Sequence, residues 1–272
     1  MRVHAHGGVM STEESVAAHY SRGNVEDTLL GMIKAAGGNP DSFAPADLRG
    51  ADQLHIGGAA ATTRVATRAG INVGSHVVDL GSGTGGVARH LAHDFGATVH
   101  GVDLTPQFVT AARSLTERTG LSNLATFSQG SILALPFEDN SFDVALMVHV
   151  GMNIQDKDRV FAEAARVVRP GGIMAVYDVM LMGGDVEQYP LPWAATPATS
   201  FVQPPLAYSD ALAQAGFEVD QEVKPLAEGI EFLEKAISSG GPVGVDSLAL
   251  KNLIAAFRSG LLAPVEIYSH LP

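Results

Sequence analysis

The 272-residue sequence contains no cysteine. Disulfide bonds, thiolate metal sites and cysteine nucleophiles are therefore excluded. The chain also lacks an apolar run long enough to span a bilayer. Its first ten residues have no apolar segment of the kind found in secretory signals, so we expect a flexible lead there and a cytoplasmic protein.

Basic residues are scarce as well. Lys and Arg number 17 against 29 Asp and Glu, which gives a formal net charge of −12. Binding to a nucleic-acid backbone needs concentrated Lys and Arg, and the sequence has no basic cluster. We therefore expect a small-molecule partner, with no nucleic acid and no membrane, and a chain that acts as a monomer or homodimer.

Apolar residues make up 46% of the chain and charged residues 17%, which is typical of a protein with a substantial core. Short apolar runs alternate with helical patterns through the middle of the chain, and this predicts an α/β fold with a parallel sheet covered on both faces. The predicted strands are 76–80, 97–102, 124–128, 143–149, 172–179, 217–223 and 264–270. The predicted helices are one that begins at Thr12, where Ser11 and Glu14 have capping-box spacing, and 25–36, 57–70, 85–95, 106–119, 156–168, 206–215, 226–238 and 246–259.

Two segments break this alternation. Residues 183–205 contain Gly183-Gly184 and five prolines, so they are predicted to form an irregular insertion. Gly240-Gly241-Pro242 separates the last two predicted helices.

The glycine-rich turn after the strand at 76–80 is the most informative segment. Gly81, Gly83 and Gly86 satisfy the pattern G-x-G-x-x-G, and Asp103 lies 20 residues beyond Gly83. Glycines let a ligand approach bare backbone, and the following helix start offers N–H groups to an anion. The motif alone also fits a dinucleotide site, as in a nicotinamide-dependent oxidoreductase.

The residues around this turn favour a different ligand. Asp79 lies two residues before Gly81, where its carboxylate would repel a pyrophosphate and suit an ammonium group. Two further blocks follow, Gly130–Asp143 and Arg166–Ile173. In this order, the three blocks resemble the class I S-adenosylmethionine-dependent methyltransferases.

With Asp103, the resemblance covers roughly residues 55–180. The segment Asp52–Gly58 is similar to the one before the core of small-molecule enzymes, including glycine and sarcosine N-methyltransferases and tocopherol and quinone C-methyltransferases. The resemblance implies a doubly wound, Rossmann-like sheet of seven strands in the order 3-2-1-4-5-7-6 with the last strand antiparallel, an N-terminal helical cap and helical inserts. The implied domains are a helical cap at 1–54, a cofactor-binding core at 55–180, and insertion or cap helices that complete the sheet at 181–272.

The resemblance implies S-adenosylmethionine as cofactor, with S-adenosylhomocysteine as product. Asp79 is expected to contact the ammonium of the ligand, Asp103 both ribose hydroxyls, and Leu104 the adenine. Many relatives carry aspartate where this chain has Ser131, and a hydroxyl is a weaker partner for an exocyclic amine. The full set of expected cofactor-binding residues is Asp79, Gly81, Ser82, Gly83, Gly85, Asp103, Leu104, Ser131, Ile132 and His149.

The candidate catalytic residues are His149, at the end of the fourth strand, and His55. Ligands of open α/β sheets bind beyond the carboxyl ends of the strands, which would bring His149 close to the transferred methyl. A strand-end histidine bonded to a carbonyl, and core packing for His55, are the competing interpretations. Candidate substrate contacts are Tyr20, Asp178, Trp193 and Phe201. The alternative is capping of the next loop for Asp178 and packing for the other three.

No metal site is expected. His90 and His93 share one predicted helix, but the sequence shows no third ligand near them. His90, His93 and His100 are predicted to lie at the surface.

These observations predict in-line SN2 methyl transfer to a small acceptor, an amine or a related polar metabolite. O- or C-methylation of an aromatic or quinone-like metabolite is the alternative. More remote alternatives are an NAD-dependent oxidoreductase and a module that binds S-adenosylmethionine without catalysis.

Overall fold

The computed structural model describes residues 11–20, 24–238 and 246–272. The predicted lead and the predicted break at Gly240-Gly241-Pro242 lie outside these residues.

Seven strands form one sheet in the order β3-β2-β1-β4-β5-β7-β6. Strands β1 to β5 pair in parallel, and β7 lies between β5 and β6, antiparallel to both. This confirms the fold class and the strand order that the resemblance implies. The strands are β1 (His76–Leu80), β2 (Thr98–Asp103), β3 (Ala125–Gln129), β4 (Phe142–Val148), β5 (Val168–Leu181), β6 (Glu218–Val223) and β7 (Leu262–His270).

The predicted helices are present, with bounds that differ by at most two residues except in the segment after the glycine loop. There, α5 is short and is followed by a π-helical turn at Leu91–Phe95. The sequence also failed to predict the short helix α3. The helices are α1 (Thr12–Tyr20), α2 (Val25–Ala35), α3 (Pro45–Leu48), α4 (Gly58–Arg68), α5 (Gly86–His90), α6 (Pro106–Arg118), α7 (Lys157–Val167), α8 (Pro205–Gln214), α9 (Leu226–Ser238) and α10 (Ser247–Arg258).

Alternate side chains of the central strands point to opposite faces of the sheet. Val78 and Ala145 join an apolar core with α7 and α8, and Val77 and Val144 join a second core with α4, α5 and α6. Helices therefore cover both faces, and the carboxyl ends of β1, β2 and β4 meet at one edge.

A third apolar cluster joins α9 and α10 to the segment 183–205. As far as Pro204, that segment is irregular apart from an isolated β-bridge between Leu191 and Ala194 and a short 3₁₀ turn at Pro197–Thr199. Within the part of the chain described here, no helix combines the length and the apolar character needed to cross a membrane.

The prediction that His90 lies at the surface is wrong. The residue is 4% exposed, and its Nε2 is 2.8 Å from the Thr63 hydroxyl of α4. It is buried because α5 packs on α4 along the face that carries His90.

Candidate cofactor and acceptor site

A cavity of about 680 Å³ opens at the carboxyl ends of β1, β2 and β4. The rest of its lining comes from α1, the segment 52–57 before α4, the glycine loop 81–86, the start of α6, the turn after β3 and the segment 150–156 after β4. The predicted site residues that line it are Tyr20, His55, Asp79, Gly81, Ser82, Gly83, Asp103, Leu104, Ile132 and His149.

The glycine loop presents bare backbone to this cavity. The N–H groups of Gly81 and Ser82 both donate to the Val102 carbonyl, at 2.8 and 3.1 Å, and this ties the loop to β2. Gly81 has φ of +79°, and a Cβ there would lie 2.5 Å from Val150 Cγ2. Gly83 has φ of +53° and open space where a Cβ would be, so its backbone is accessible to a ligand.

Gly85 and Gly86 are constrained by the protein itself. A Cβ at Gly85 would lie 2.6 Å from Phe127 Cζ, and one at Gly86 would lie 2.3 Å from the Asp52 carbonyl oxygen. Gly85 does not line the cavity, whereas Gly86 does. Close packing of the loop against β3 and the segment before α4 therefore requires glycine at both positions.

Asp79 is the next-to-last residue of β1 and is only 1% exposed. Its Oδ2 is buried and has no hydrogen-bond partner among the described residues. Burial, together with the negative charge of Asp103, raises the pKa of Asp79 to about 7. A buried carboxylate oxygen without a partner at a cavity wall suits a cationic donor.

Asp103 ends β2 and anchors the surrounding backbone. Its Oδ2 accepts the Gly83 N–H and its Oδ1 accepts the Thr105 N–H, each at 2.8 Å. Burial raises the pKa of this carboxyl. The Thr105 side chain also hydrogen-bonds this carboxyl. An ionised carboxylate has about four acceptor positions, so acceptor capacity remains for a ligand hydroxyl.

His149 follows β4 in a left-handed backbone conformation, with φ of +55°. Its N–H donates to the Tyr177 carbonyl at 2.7 Å, and its Nε2 is buried without a hydrogen-bond partner among the described residues. Burial, and then the neighbouring His55, lowers the pKa of His149 well below its usual value. A non-glycine residue held in this region is uncommon and is found at functional sites more often than elsewhere.

His55 lies next to His149, with 6.0 Å between the ring centroids. Its Nε2 is 3.1 Å from the Gly58 carbonyl and 3.1 Å from the Thr62 hydroxyl. Because a carbonyl only accepts, Nε2 carries the proton and Nδ1 carries the lone pair. Burial lowers the pKa of His55 to about 4, so this ring is neutral at pH 7.

Among the described residues, the charged side chains that line the cavity are all acidic. The carboxylates that line it belong to Glu13, Asp52, Asp79, Asp103 and Asp156, and no Lys or Arg side chain among the described residues lines it. Such a wall favours cationic ligands and disfavours a pyrophosphate.

Sequence reasoning missed Glu13, Asp52 and Asp156. Asp52 forms a buried ion pair with Arg89 at 2.8 Å, which joins the segment before α4 to the helix after the glycine loop. Glu13 and Asp156 occur in no local motif of the sequence. Asp52 opens the segment Asp52–Gly58 that resembles the family, and that resemblance was the one signal that could have marked it.

Besides Gly85, four predicted site residues lie outside the cavity lining. Asp178 is fully buried and accepts hydrogen bonds from the Tyr208 hydroxyl and the Val179 N–H, both at 2.9 Å. The other three are hydrogen-bonded to other parts of the protein. The Trp193 indole N–H donates to the Ser200 hydroxyl, and the Phe201 N–H donates to the Met152 carbonyl. The Ser131 hydroxyl donates to Glu13.

Residues 78–176 match a family described as a methyltransferase domain. An O-methyltransferase of Penicillium expansum is 31% identical over 204 residues, which cover 71% of this chain and 71% of that protein. The chain belongs to the class I S-adenosylmethionine-dependent methyltransferases.

The names of other relatives specify different methyl acceptors. A 2-methyl-6-phytyl-1,4-hydroquinone methyltransferase of Synechocystis is 36% identical over 57% of this chain and 48% of that protein. A geranyl diphosphate C-methyltransferase structure from Streptomyces coelicolor superposes with a TM-score of 0.74 at 16% identity, over 97% of this chain and 99% of that one. The chain spans less than half of the length of the first two curated relatives it matches.

The methyltransferase cofactor, S-adenosylmethionine, carries an ammonium, a sulfonium and a ribose diol. The residues present fit these groups: Asp79 has an unpartnered carboxylate oxygen, Asp103 has free acceptor positions, and Gly83 leaves open space over its backbone. The same wall is a poor fit to a dinucleotide, because no basic side chain among the described residues faces it.

Proposed function

We propose that this protein transfers the methyl group of S-adenosylmethionine to a small-molecule acceptor that carries no acidic group, with an amine or related polar metabolite favoured. The observation that carries the proposal is the unpartnered, buried Asp79 oxygen beside the Asp103 carboxylate and the glycine loop. When bound, S-adenosylmethionine supplies a methyl group made electrophilic by its sulfonium.

The protein binds the cofactor by complementary charge and shape. Asp79 accepts from the ammonium, and Asp103 accepts from the ribose hydroxyls while its bonds to Gly83 and Thr105 keep it fixed. Leu104 and Ile132 offer apolar surface for the adenine. Because the methyl is already activated, holding the acceptor in line supplies most of the rate, and such positioning is worth about 7–11 kcal/mol.

The acceptor end of the cavity is assigned to His55, His149 and Tyr20. The acidic wall attracts a cationic amine, which must lose a proton before it can attack. With its pKa lowered to about 4, His55 is too weak a base to take a proton from an ammonium group, so the amine enters in its neutral form. His55 Nδ1 then accepts a hydrogen bond from the amine, because Nε2–H is held by the Gly58 carbonyl. Tyr20 contacts Asn153 through its hydroxyl at 3.2 Å, so α1 closes over this end.

O- or C-methylation of an aromatic or quinone-like acceptor is the second candidate. Both histidines are unprotonated at pH 7, so their ring nitrogens can accept a hydrogen bond from a hydroxyl acceptor as well as from an amine. A transfer assay with labelled methyl donor separates the candidates, since the labelled product of an amine stays basic while an ether or a ring-methylated product does not. An acceptor that requires a phosphate or carboxylate for turnover would contradict the proposed charge preference.

Calorimetry with S-adenosylhomocysteine tests the cofactor site. We expect binding by the wild type and a loss of about 10- to 100-fold for Asp103→Ala, because two charge-assisted hydrogen bonds are removed. Asp139→Ala is the matched control: Asp139 is exposed, lies outside the cavity lining and pairs only with Arg166 among the described residues. Folded wild-type protein that binds no S-adenosylhomocysteine would overturn the proposal.

A further inference from the structure

The Ser131 hydroxyl is hydrogen-bonded to other groups of the protein both as donor and as acceptor. It donates its single proton to Glu13 Oε1 and accepts the Leu133 N–H at 3.1 Å. Ser131 itself lies outside the cavity lining, although Gly130 and Ile132 on either side of it line the cavity. The effect of this serine is therefore to hold the Glu13 carboxylate in place.

Glu13 reaches the cavity from α1, 118 residues away in the chain. Its side chain lines the cavity, and only Oε1 takes part in the contact with Ser131. Among the described residues no group donates to Oε2. One charged acceptor thus remains available at this end of the cavity.

Apolar side chains line the same cavity as Glu13. They include Leu104, Phe108, Ile132 and Leu133, of which the last two follow Ser131 directly in the chain. The Ile132 N–H donates to no other group in the part of the chain that the structure describes. An apolar lining with one available carboxylate oxygen and one free N–H matches a planar base that has an amino donor next to a ring-nitrogen acceptor.

We infer that Glu13 accepts the 6-amino group of the cofactor's adenine, and so takes over recognition of the base from Ser131. Ser131 positions Glu13, and α1 becomes part of the cofactor site rather than a cover over it. The inference rests on the proposed function, since it assumes that S-adenosylmethionine occupies this cavity.

The test compares two ligands by calorimetry: S-adenosylhomocysteine and its purine analogue, which has hydrogen in place of the 6-amino group. The analogue keeps the ring nitrogen that faces the Ile132 N–H, so the ratio of the two affinities reports the amino contact alone. We expect the wild type to prefer S-adenosylhomocysteine by about tenfold or more, as for a hydrogen bond to a charged group. Glu13→Ala should reduce the ratio to within about twofold of unity.

Glu14→Ala is the matched control on the same helix. Glu14 is exposed and caps α1 by accepting the Ser11 N–H at 2.7 Å, so this variant loosens α1 without removing Glu13. It should weaken both ligands equally and keep the ratio. Equal weakening of both ligands by Glu13→Ala, or no preference in the wild type, would overturn the inference alone. A wild type that binds neither ligand would overturn the proposed function as well.

Discussion

At the scale of single residues, the site depends on groups whose ordinary charge state is shifted by burial. Asp79 has its pKa raised to about 7, whereas His55 has its pKa lowered to about 4. Both shifts have the same cause, since burial disfavours whichever form is charged. The site thus combines two imidazoles that are neutral at pH 7 with a carboxyl that is about half ionised there.

Asp79 gives this arrangement a measurable pH dependence. An ammonium group binds the ionised carboxylate, so affinity for S-adenosylhomocysteine should rise by about tenfold as the pH increases from 5.5 to 7.5 through the raised pKa. Asp79→Asn should bind weakly and show a flat profile over this range. Isothermal titration at four or five pH values measures both.

Asp139→Asn, a change at the surface, should follow the wild-type profile. A wild-type affinity that does not change with pH would show that Asp79 is not the partner of the ammonium.

The spacing of the loop glycines was enough to predict the loop, but it did not predict why each position requires glycine. The sequence pattern treats Gly81, Gly83 and Gly86 alike. In the structure, a Cβ at Gly83 would point into open space, one at Gly81 would collide with Val150, and one at Gly86 would collide with Asp52. Those neighbours lie 34 to 69 residues away in the chain, so no local signal specifies them.

At the scale of elements, α5 depends on its contact with the segment before α4. Gly86→Ala places a Cβ 2.3 Å from the Asp52 carbonyl, and backbone cannot move aside as a flexible side chain can. We expect a loss of about 1–3 kcal/mol in the free energy of unfolding, measured by urea denaturation.

Gly31→Ala is the control for that substitution. Gly31 is exposed within α2, with nothing within 4 Å of a Cβ, so alanine should stabilise the protein by about 0.5–1 kcal/mol. The same chemical change thus has opposite signs at the two positions. Equal effects would contradict the packing assigned to Gly86.

Element boundaries were predictable wherever a local signal exists. The predicted helix start at Thr12 is confirmed, because the Ser11 and Glu14 side chains each bond the other's backbone N–H. β5 was less predictable: it begins at Val168, ahead of the expected 172, because its pairing with β4 shifts register between Phe142 and Val144. Register depends on a partner strand, which the local pattern does not contain.

At the scale of the whole molecule, the net charge of −12 and the acidic cavity wall act together on the cofactor. S-adenosylmethionine has a net charge of +1 at neutral pH, and S-adenosylhomocysteine has none, because it lacks the sulfonium. We expect the affinity for S-adenosylmethionine to fall several-fold between about 20 and 500 mM salt, since screening weakens the attraction.

S-adenosylhomocysteine is the matched control, as it differs from S-adenosylmethionine by one charge and one methyl group. Its affinity, measured in the same titrations, should change much less with salt. Parallel salt dependences for the two ligands would contradict an electrostatic role for the wall.

The sequence by itself determined the order of strands and helices, the glycine loop and the positions of Asp79 and Asp103. These features follow from periodicity and from spacings within one strand–loop–helix unit, and parallel strands bring their carboxyl ends together. Only the tertiary structure decided that Glu13 and Asp52 face the cavity and that Asp178 and Trp193 do not. Those positions depend on contacts between segments that are far apart in the chain, such as Glu13 with Ser131 across 118 residues and Asp178 with Tyr208 across 30 residues. Such contacts leave no local pattern in the sequence.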